Sequence, residues 1–365
     1  QELYSFVENY NDVEAVQRFN YHTGKVTDKE DKQYQISVYT IENVSQIDKL
    51  IDLHTRIGGE KLKLSSSGVI LTEKIANIIL IGNKEDILSR CINNNIDISG
   101  IKIEDNLKSE KRNLYKEELF KLRKHKGISL DDADNLLNDK IYYATMMLKN
   151  NDADGMVCGA CNSTPDTLRP ALQIIKARKG LDLVSSFFIM QTPNTNLGLS
   201  GKFIFSDCGL VINPTEDDLV EIVLESYDSF KKLLNEEPKI ALLSYSTLDD
   251  IKDENVIKLQ NVVRRVKEIN NNINIDGQLQ LDAAIIEDVA KIKAPNSSVA
   301  GKANVLIFPN LESGNIAYKI AERFGNMTAL GPITQGMDKP VNDLSRGCSV
   351  DDIVGVIAIT CIQSM

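Results

Sequence analysis

The most constraining feature of this sequence is the alternation of short apolar runs with longer amphipathic segments from about residue 77 to the C-terminus. The longer segments carry apolar residues three or four positions apart, which is the spacing of an amphipathic helix. Predicted strands cover 77–81, 155–158, 184–190, 202–205, 239–243 and 304–308. Predicted helices cover 219–234, 256–269, 283–293 and 315–324. This alternation predicts βαβ units and therefore an α/β fold with mainly parallel sheets.

Composition narrows the class of protein. A chain of 365 residues suggests two or three domains, with enough residues for more than one hydrophobic core. Its 52 acidic residues exceed its 42 lysines and arginines, and the net charge of −10 disfavours nucleic-acid binding. The longest apolar run, 353–362, is too short to cross a bilayer, and no secretory signal opens the chain. Six cysteines are too few for a disulfide scaffold, so we expect a cytoplasmic protein with no membrane partner.

Three segments share one pattern, in which an apolar strand leads through a loop of small polar residues into a helix. They span 154–169, 305–323 and 331–350. In the first, Thr164 is the expected N-cap, followed by Pro165 and an acidic first turn. A helix N-terminus offers unpaired N–H groups and a partial positive charge. Because an arginine lies near each junction, the pattern predicts an anion-binding cleft in spite of the acidic balance.

Each candidate residue also has an ordinary structural interpretation. Ser349 and Asp352 have the spacing of a capping box, in which Asp352 would do no more than cap a helix. Ser345 is typical of a turn. Arg123 and Arg169 are typical of solvated surface charges, and Arg323 is typical of a cation at a helix C-terminus. Spacing alone does not choose between these interpretations and a functional one.

Several common chemistries are disfavoured by spacing. Cys158 and Cys161 form a C-x-x-C sequence, but neither a second cysteine pair nor a histidine pair is close enough to complete a zinc site. We therefore expect these cysteines to be buried small side chains, and we expect no metal. The three histidines are scattered and support no Ser-His-Asp arrangement. No G-x-G-x-x-G or Walker sequence occurs, so no simple dinucleotide or P-loop site is indicated.

Longer motifs then indicate a family. The runs 301–319 and 339–348, the second reading Lys-Pro-Val-Asn-Asp-Leu-Ser-Arg-Gly-Cys, closely resemble the phosphate acetyltransferase family. Upstream matches occur in the family's order at 154–159, 163–173 and 279–284. The resemblance implies reversible transfer of an acetyl group between coenzyme A and phosphate, by direct thiolate attack in a ternary complex. Coenzyme A would be a substrate, and no cofactor would be tightly bound.

The same resemblance implies a fold and an assembly. Members have two α/β domains flanking a cleft, like the isocitrate/isopropylmalate dehydrogenases, and form cytoplasmic homodimers. The first domain regains the C-terminal segment, which assigns domain I to 1–179 plus 335–365 and domain II to 180–334. The strand ending in Leu-Pro-Glu-Gly that usually opens the family is not found in 1–76, so we expect the N-terminal part to diverge. Asn162 and Pro165 stand where many members carry His and Ala.

Three residues take catalytic roles by resemblance. Ser345 corresponds to the serine that hydrogen-bonds the thiol of coenzyme A, Asp352 to the carboxylate that takes the thiol proton, and Arg346 to the arginine at the phosphate or developing oxyanion. At ordinary pKa values, moving a proton from a thiol to an aspartate costs about 6 kcal/mol, so we expect Arg346 and the helix N-terminus to stabilise the thiolate. The residues implied in binding coenzyme A and phosphate are Arg123, Ser163, Thr164, Arg169 and Arg323.

Two alternatives remain open from the sequence. A phosphate butyryltransferase, or another phosphotransacylase, would share the cleft and differ in the size of the acyl pocket. A non-catalytic regulatory domain that binds acetyl-CoA would have the same fold, although Ser345, Arg346 and Asp352 are all present here. A dehydrogenase of the isocitrate class would need metal-binding aspartates on a helix and a cofactor loop, and we find neither.

Overall fold

The computed structural model describes residues 26–27, 33–34, 76–93, 98, 101–160, 162–249, 251–345 and 348–365. The chain divides into two compact units. Unit 1 comprises Gln1–Arg178 and Met337–Met365, and unit 2 comprises Lys179–Gly336. Of the N-terminal part that we expect to diverge, nearly all lies outside the described residues. Among the residues described, no helix is both long and apolar enough to span a membrane.

The regular elements are numbered in chain order. The strands are β1 (Val26–Thr27), β2 (Gln33–Tyr34), β3 (Ile79–Ile81), β4 (Lys102–Glu104), β5 (Met156–Cys158), β6 (Ser185–Gln191), β7 (Lys202–Ser206), β8 (Lys239–Leu243), β9 (Asn274–Leu279), β10 (Val305–Ile307), β11 (Thr328–Gln335) and β12 (Val341–Asp343). The helices are α1 (Lys84–Asn93), α2 (Arg112–Arg123), α3 (Leu130–Leu136), α4 (Lys140–Lys149), α5 (Thr164–Ile174), α6 (Glu216–Leu234), α7 (Glu254–Ile269), α8 (Leu281–Ile285), α9 (Glu287–Lys293), α10 (Leu311–Arg323) and α11 (Val350–Ser364).

Unit 1 contains three short strand pairs among its described residues. Strands β1 and β2 pair antiparallel, whereas β3 pairs with β4 and β5 with β12 in parallel. Helix α4 is almost entirely apolar along its length and packs against α2 and α5. Asn342 joins β12 to α11, because its Nδ2 donates hydrogen bonds of 2.7 Å to Thr360 Oγ1 and to Gln363 Oε1. The C-terminal part of α11 is therefore fixed relative to β12.

Unit 2 is built on one six-stranded sheet in the order β11-β6-β7-β10-β8-β9. Strands β7, β10, β8 and β9 are parallel, and β6 runs antiparallel to both of its neighbours, β7 and the edge strand β11. Its aromatic core includes Phe205 and Phe308, whose ring centroids lie 5.4 Å apart, and Phe188, which stacks on Tyr318 at 4.1 Å. The predicted α/β class with mainly parallel sheets is confirmed.

Two predicted elements are wrong in detail. The segment 331–336, predicted as part of a loop, belongs mostly to the edge strand β11. Gly331 and Pro332 interrupt its apolar pattern, and the strand accommodates them through a shift in register between Leu330 and Ile333. An edge strand tolerates proline because one side of its backbone need not pair. The loop that leads into α11 therefore starts from β12.

The predicted helix 283–293 is two helices, α8 and α9, separated by Ile286 in an extended conformation. In a continuous helix the carbonyl groups of Ala283 and Ala284 would accept hydrogen bonds from residues four positions later. Here they accept from the backbone N–H groups of Gly301 at 2.8 Å and Ala303 at 3.0 Å. A contact distant in the sequence thus ends the first helix.

Candidate active site

In unit 1, two neighbouring strands end together, and each leads through a short loop into a helix. Strands β5 and β12 are parallel, with Cys158 opposite Asp343 at their carboxyl ends. Helix α5 begins at Thr164 and helix α11 at Val350. Because parallel strands place their following loops at the same edge, two helix N-termini follow this edge. Such an edge favours the binding of anions.

The two loops approach so closely that only glycine fits between them. Gly159 has a φ of +108°, and a Cβ atom at this position would lie 1.8 Å from Asp343 Oδ1 and 2.8 Å from the backbone nitrogen of Leu344. Leu344 N donates a 2.7 Å hydrogen bond to the carbonyl oxygen of Cys158. Gly159 therefore permits the close approach of the segments that follow β5 and β12.

The start of α5 differs from the predicted one by a single residue. Ser163, not Thr164, is the N-cap, and its Oγ accepts a hydrogen bond of 3.3 Å from the backbone nitrogen of Asp166. Thr164 is the first helical residue, and its hydroxyl donates a 2.5 Å hydrogen bond to Asp343 Oδ2. Both residues are good caps, and Pro165 tolerates the first or second helical position, so the sequence pattern was ambiguous. The error matters because Thr164 thereby connects α5 to β12.

The start of α11 confirms the predicted capping box. The backbone nitrogen of Ser349 donates a 2.7 Å hydrogen bond to Asp352 Oδ2, and Asp352 N donates one of 3.2 Å to Ser349 Oγ. Ser345 is exposed, and its carbonyl oxygen accepts from Cys348 N at 3.0 Å. The structure thus places Ser345 and Asp352 on either side of one short loop at the end of β12.

Two residues named from the sequence, Arg346 and Cys161, lie outside the described residues. Cys158 is buried, as predicted for it. Burial raises the pKa of the Cys158 thiol well above its ordinary value, and the nearby carboxylates Asp343 and Asp139 raise it further. This thiol therefore stays protonated at neutral pH and is not a nucleophile.

Two of the candidate arginines act on the same phenol. Arg123 is the last residue of α2 and is half-buried, and Arg169 lies on α5, where it is exposed and 3.7 Å from Asp166 Oδ1. Burial raises the pKa of Tyr142, on α4, while the positive charges of Arg123 and Arg169 oppose this rise. The structure therefore brings these two arginines to one region of unit 1.

Arg323 lies in unit 2 as the last residue of α10, with a side chain 75% exposed and 3.6 Å from Glu322 Oε1. Asn310 caps the start of this helix, since its Oδ1 accepts a 2.9 Å hydrogen bond from Ser313 N. No group of three or more histidine, cysteine or carboxylate side chains suited to a metal ion occurs among the residues described.

Comparison with known proteins identifies the family. The family model described as "Phosphate acetyl/butaryl transferase" matches residues 57–361, and the chain belongs to this family. Among its curated relatives, the phosphate acetyltransferase of Acetivibrio thermocellus is 50% identical over 301 residues, covering 82% of this chain and 90% of the relative. The phosphate acetyltransferase of Clostridium acetobutylicum is 46% identical over 307 residues, covering 84% of this chain and 92% of the relative.

Solved structures agree with this assignment. A phosphotransacetylase from Streptococcus pyogenes matches with a TM-score of 0.77 and 38% identity, covering 88% of this chain and 99% of that one. The EutD phosphotransacetylase from Staphylococcus aureus matches with a TM-score of 0.72 and 35% identity, covering 87% of this chain and 92% of that one. The similarity therefore extends over most of the fold as well as the motifs.

Sequence reasoning missed three residues that shape this region: Gly159, Asp343 and Tyr142. The first two lie within motifs matched to the family, and no residue spacing distinguishes them from ordinary loop and strand-end residues. Tyr142 is the first of two adjacent tyrosines in an apolar helix, a pattern that indicates burial. Only the folded structure shows what each of them contacts.

Proposed function

We propose that this chain catalyses the reversible transfer of an acetyl group between coenzyme A and phosphate, so that acetyl-CoA and phosphate give CoA and acetyl phosphate. The observation that carries the proposal is the position of Ser345 and Asp352, on one short loop and helix start at the carboxyl end of β12. Relatives that are 50% and 46% identical over the aligned residues bear the name of this enzyme, which supports the proposal.

The proposed chemistry needs no covalent enzyme intermediate. Ser345 would hydrogen-bond the thiol of CoA while Asp352 takes its proton. The thiolate sulfur then adds to the carbonyl carbon of acetyl phosphate, and the carbon–oxygen bond to phosphate breaks, its electron pair leaving with the phosphate. Arg346 would neutralise the developing negative charge. Such electrostatic stabilisation of the transition state is usually the largest single contribution to catalysis. Holding both substrates in one site supplies the remainder.

The proposed binding residues are of two kinds, three arginines and two hydroxyl residues at the start of α5. Arg123, Arg169 and Arg323 would bind the phosphate groups of CoA and the reacting phosphate. Ser163 and Thr164 would line the acetyl phosphate pocket. Their hydroxyl hydrogens point to Asp166 and Asp343 in the substrate-free fold. We therefore assign these two residues to the wall of the pocket and to its shape.

The proposal includes the finer description of the fold and assembly. It assigns domain I to 1–179 plus 335–365 and domain II to 180–334, flanking a cleft as in the isocitrate/isopropylmalate dehydrogenases. The boundaries of the two compact units, after Arg178 and after Gly336, support this division. It further assigns a cytoplasmic homodimer that binds CoA as substrate, with no tightly bound cofactor.

A thiol-release assay tests the proposed function. The protein is incubated with acetyl-CoA and phosphate, and free CoA is measured with a thiol reagent, beside an identical reaction with butyryl-CoA and a third reaction without phosphate. We expect phosphate-dependent release that is faster with acetyl-CoA. Faster release with butyryl-CoA would favour the butyryltransferase. An absence of phosphate-dependent release from both would contradict the proposal and favour a non-catalytic binding domain.

A further inference from the structure

Tyr142 and its neighbour Tyr143 lie side by side on α4 and point to different surroundings. Tyr143 is fully buried, and its hydroxyl donates a 3.0 Å hydrogen bond to Glu104 Oε1. Tyr142 is half-buried, and its hydroxyl donates a 3.1 Å hydrogen bond to Gln173 Oε1 on α5. One tyrosine is therefore part of the interior, whereas the other meets the surface that α5 presents.

That surface of α5 is the one that carries Arg169. Arg169 and Gln173 are four residues apart in the same helix, so their side chains lie on one face, one turn from each other. The hydrogen bond to Gln173 thus holds the Tyr142 hydroxyl within about one helical turn of the Arg169 position. Arg123 is the last residue of α2, which packs against α4, and its positive charge lowers the pKa of the same phenol.

The phenol is chemically suited to this position. Burial raises the pKa of Tyr142, so the hydroxyl keeps its proton at neutral pH and can act as a donor. It has a neutral amide oxygen as its acceptor in the substrate-free fold. A phosphate oxygen between the two guanidinium groups would be a stronger acceptor, because hydrogen bonds to ionised groups are shorter and about twice as strong. The phenol would then donate to the phosphate in place of Gln173.

We propose that Tyr142 is a substrate-binding residue whose hydroxyl donates a hydrogen bond to a phosphate oxygen held between Arg123 and Arg169. The inference rests on the proposed function, which supplies two possible sources of that oxygen. One is a phosphate group of CoA, and the other is the phosphate that accepts or carries the acetyl group. Gln173 is a positioning residue in this arrangement, since it orients the phenol before the substrate binds.

The test compares Tyr142→Phe with Tyr143→Phe, which removes the same atom from the neighbouring residue. We expect Tyr142→Phe to weaken binding of one substrate about tenfold, because a hydrogen bond to a charged group is lost. Its melting temperature should change little. Tyr143→Phe should lower the melting temperature and leave both affinities unchanged, because it leaves Glu104 without this donor inside the fold.

Binding is measured by isothermal titration calorimetry of the whole 365-residue chain with CoA, with dephospho-CoA and with inorganic phosphate. If Tyr142→Phe loses affinity for CoA alone, the phenol contacts a phosphate group of CoA. If the variant and the wild type then bind dephospho-CoA equally well, that group is the 3′-phosphate. A loss confined to inorganic phosphate places the phenol at the reacting group. In a double variant with Arg169→Ala, the two losses should be less than additive, because both side chains act on one phosphate.

Unchanged affinities of Tyr142→Phe for both CoA and phosphate, in a wild-type protein that binds them, would overturn this inference and leave the proposed function standing. A wild-type protein that binds neither substrate would overturn both. Equal losses of affinity in Tyr142→Phe and Tyr143→Phe would also contradict the inference, because they would show a structural effect of α4 as a whole.

Discussion

The carboxyl ends of β12 in unit 1 and of β7 in unit 2 have the same sequence of strand, loop and capped helix. They differ in the polar residue that follows the strand. Each strand leads through a loop into a helix that starts with a capping box, Ser349 with Asp352 on α11 and Thr215 with Asp218 on α6. After β12 comes Ser345, which is exposed. After β7 comes a buried carboxylate, described next.

Asp207 follows β7 directly and uses the donors of its own loop. Its carboxylate accepts hydrogen bonds from the backbone nitrogens of Gly209 at 2.7 Å, Leu210 at 3.2 Å and Val211 at 2.9 Å, and from Ser186 Oγ at 2.5 Å. The N–H groups that could have met a ligand at this strand end therefore point inward. The comparison teaches that a strand, loop and capped helix do not by themselves make a site, because a side chain of the protein can occupy the backbone donors of the loop, as Asp207 does here.

The close approach of the loops in unit 1 gives the largest expected effect. Gly159→Ala should lower the free energy of unfolding by about 4 kcal/mol, because the new Cβ would collide with Asp343 and would require an unfavourable φ. Gly127→Ala is the matched control. Gly127 has a φ of +83° but nothing within 4 Å of its added Cβ, so this change should cost only about 1 kcal/mol. Urea denaturation measures both. Equal losses would show that the loops do not need their close contact.

We expect the loop after β7 to contribute to the free energy of unfolding and to have little effect on turnover. Asp207→Ala should lower the free energy of unfolding by about 3 kcal/mol, because it leaves three backbone N–H groups and the hydroxyl of Ser186 without their acceptor. At a temperature where the variant stays folded, its turnover should be close to that of the wild type. A variant that keeps its stability but loses turnover would reverse the comparison between the two strand ends.

The same carboxyl group predicts a pH dependence of stability. Burial raises the pKa of Asp207, although its hydrogen bonds oppose this. Its contribution to stability is then fully present below the ordinary aspartate pKa of about 3.9 and is lost as the pH rises through the higher pKa of the folded state. The unfolding free energy of the wild type should therefore fall more steeply from acidic to neutral pH than that of Asp207→Asn. Parallel profiles from denaturation at a series of pH values would contradict this.

Much of the fold could be predicted from the sequence where burial alone decides. The strands β7 and β8 are short apolar runs in the middle of a sheet, and their predicted positions are nearly those observed. The capping box of α11 was predicted because both partners lie within four residues of each other. The break between α8 and α9 could not be predicted from the local periodicity. It is caused by residues 301–303, whose backbone N–H groups donate to the carbonyl groups of α8. Local patterns cannot reveal such distant contacts.

The candidate site was predictable to the same extent. Motif resemblance named Ser345, Asp352 and the arginines, but it did not show that the charges of Arg123 and Arg169 both act on Tyr142. That convergence depends on the packing of α2, α4 and α5, which are distant in sequence. The roles carried over by resemblance stay predictions until variants are measured.

The two capping boxes allow the most direct test, since they are nearly identical in geometry. The backbone nitrogen of the N-cap lies 2.7 Å from Asp352 Oδ2 in one and 2.8 Å from Asp218 Oδ2 in the other. Asn can still accept this hydrogen bond, so Asp352→Asn and Asp218→Asn should each cost at most about 1 kcal/mol of stability.

The decisive measurement is the kcat for phosphate-dependent CoA release by these two variants. If Asp352 takes the thiol proton, Asp352→Asn should lower kcat about 100-fold, the smaller end of the range for acid–base catalysis, while Asp218→Asn stays near the wild-type value. A near-normal kcat for Asp352→Asn, with Ser345→Ala and Arg346→Ala inactive, would contradict the role of Asp352 as general base and leave it as a helix cap.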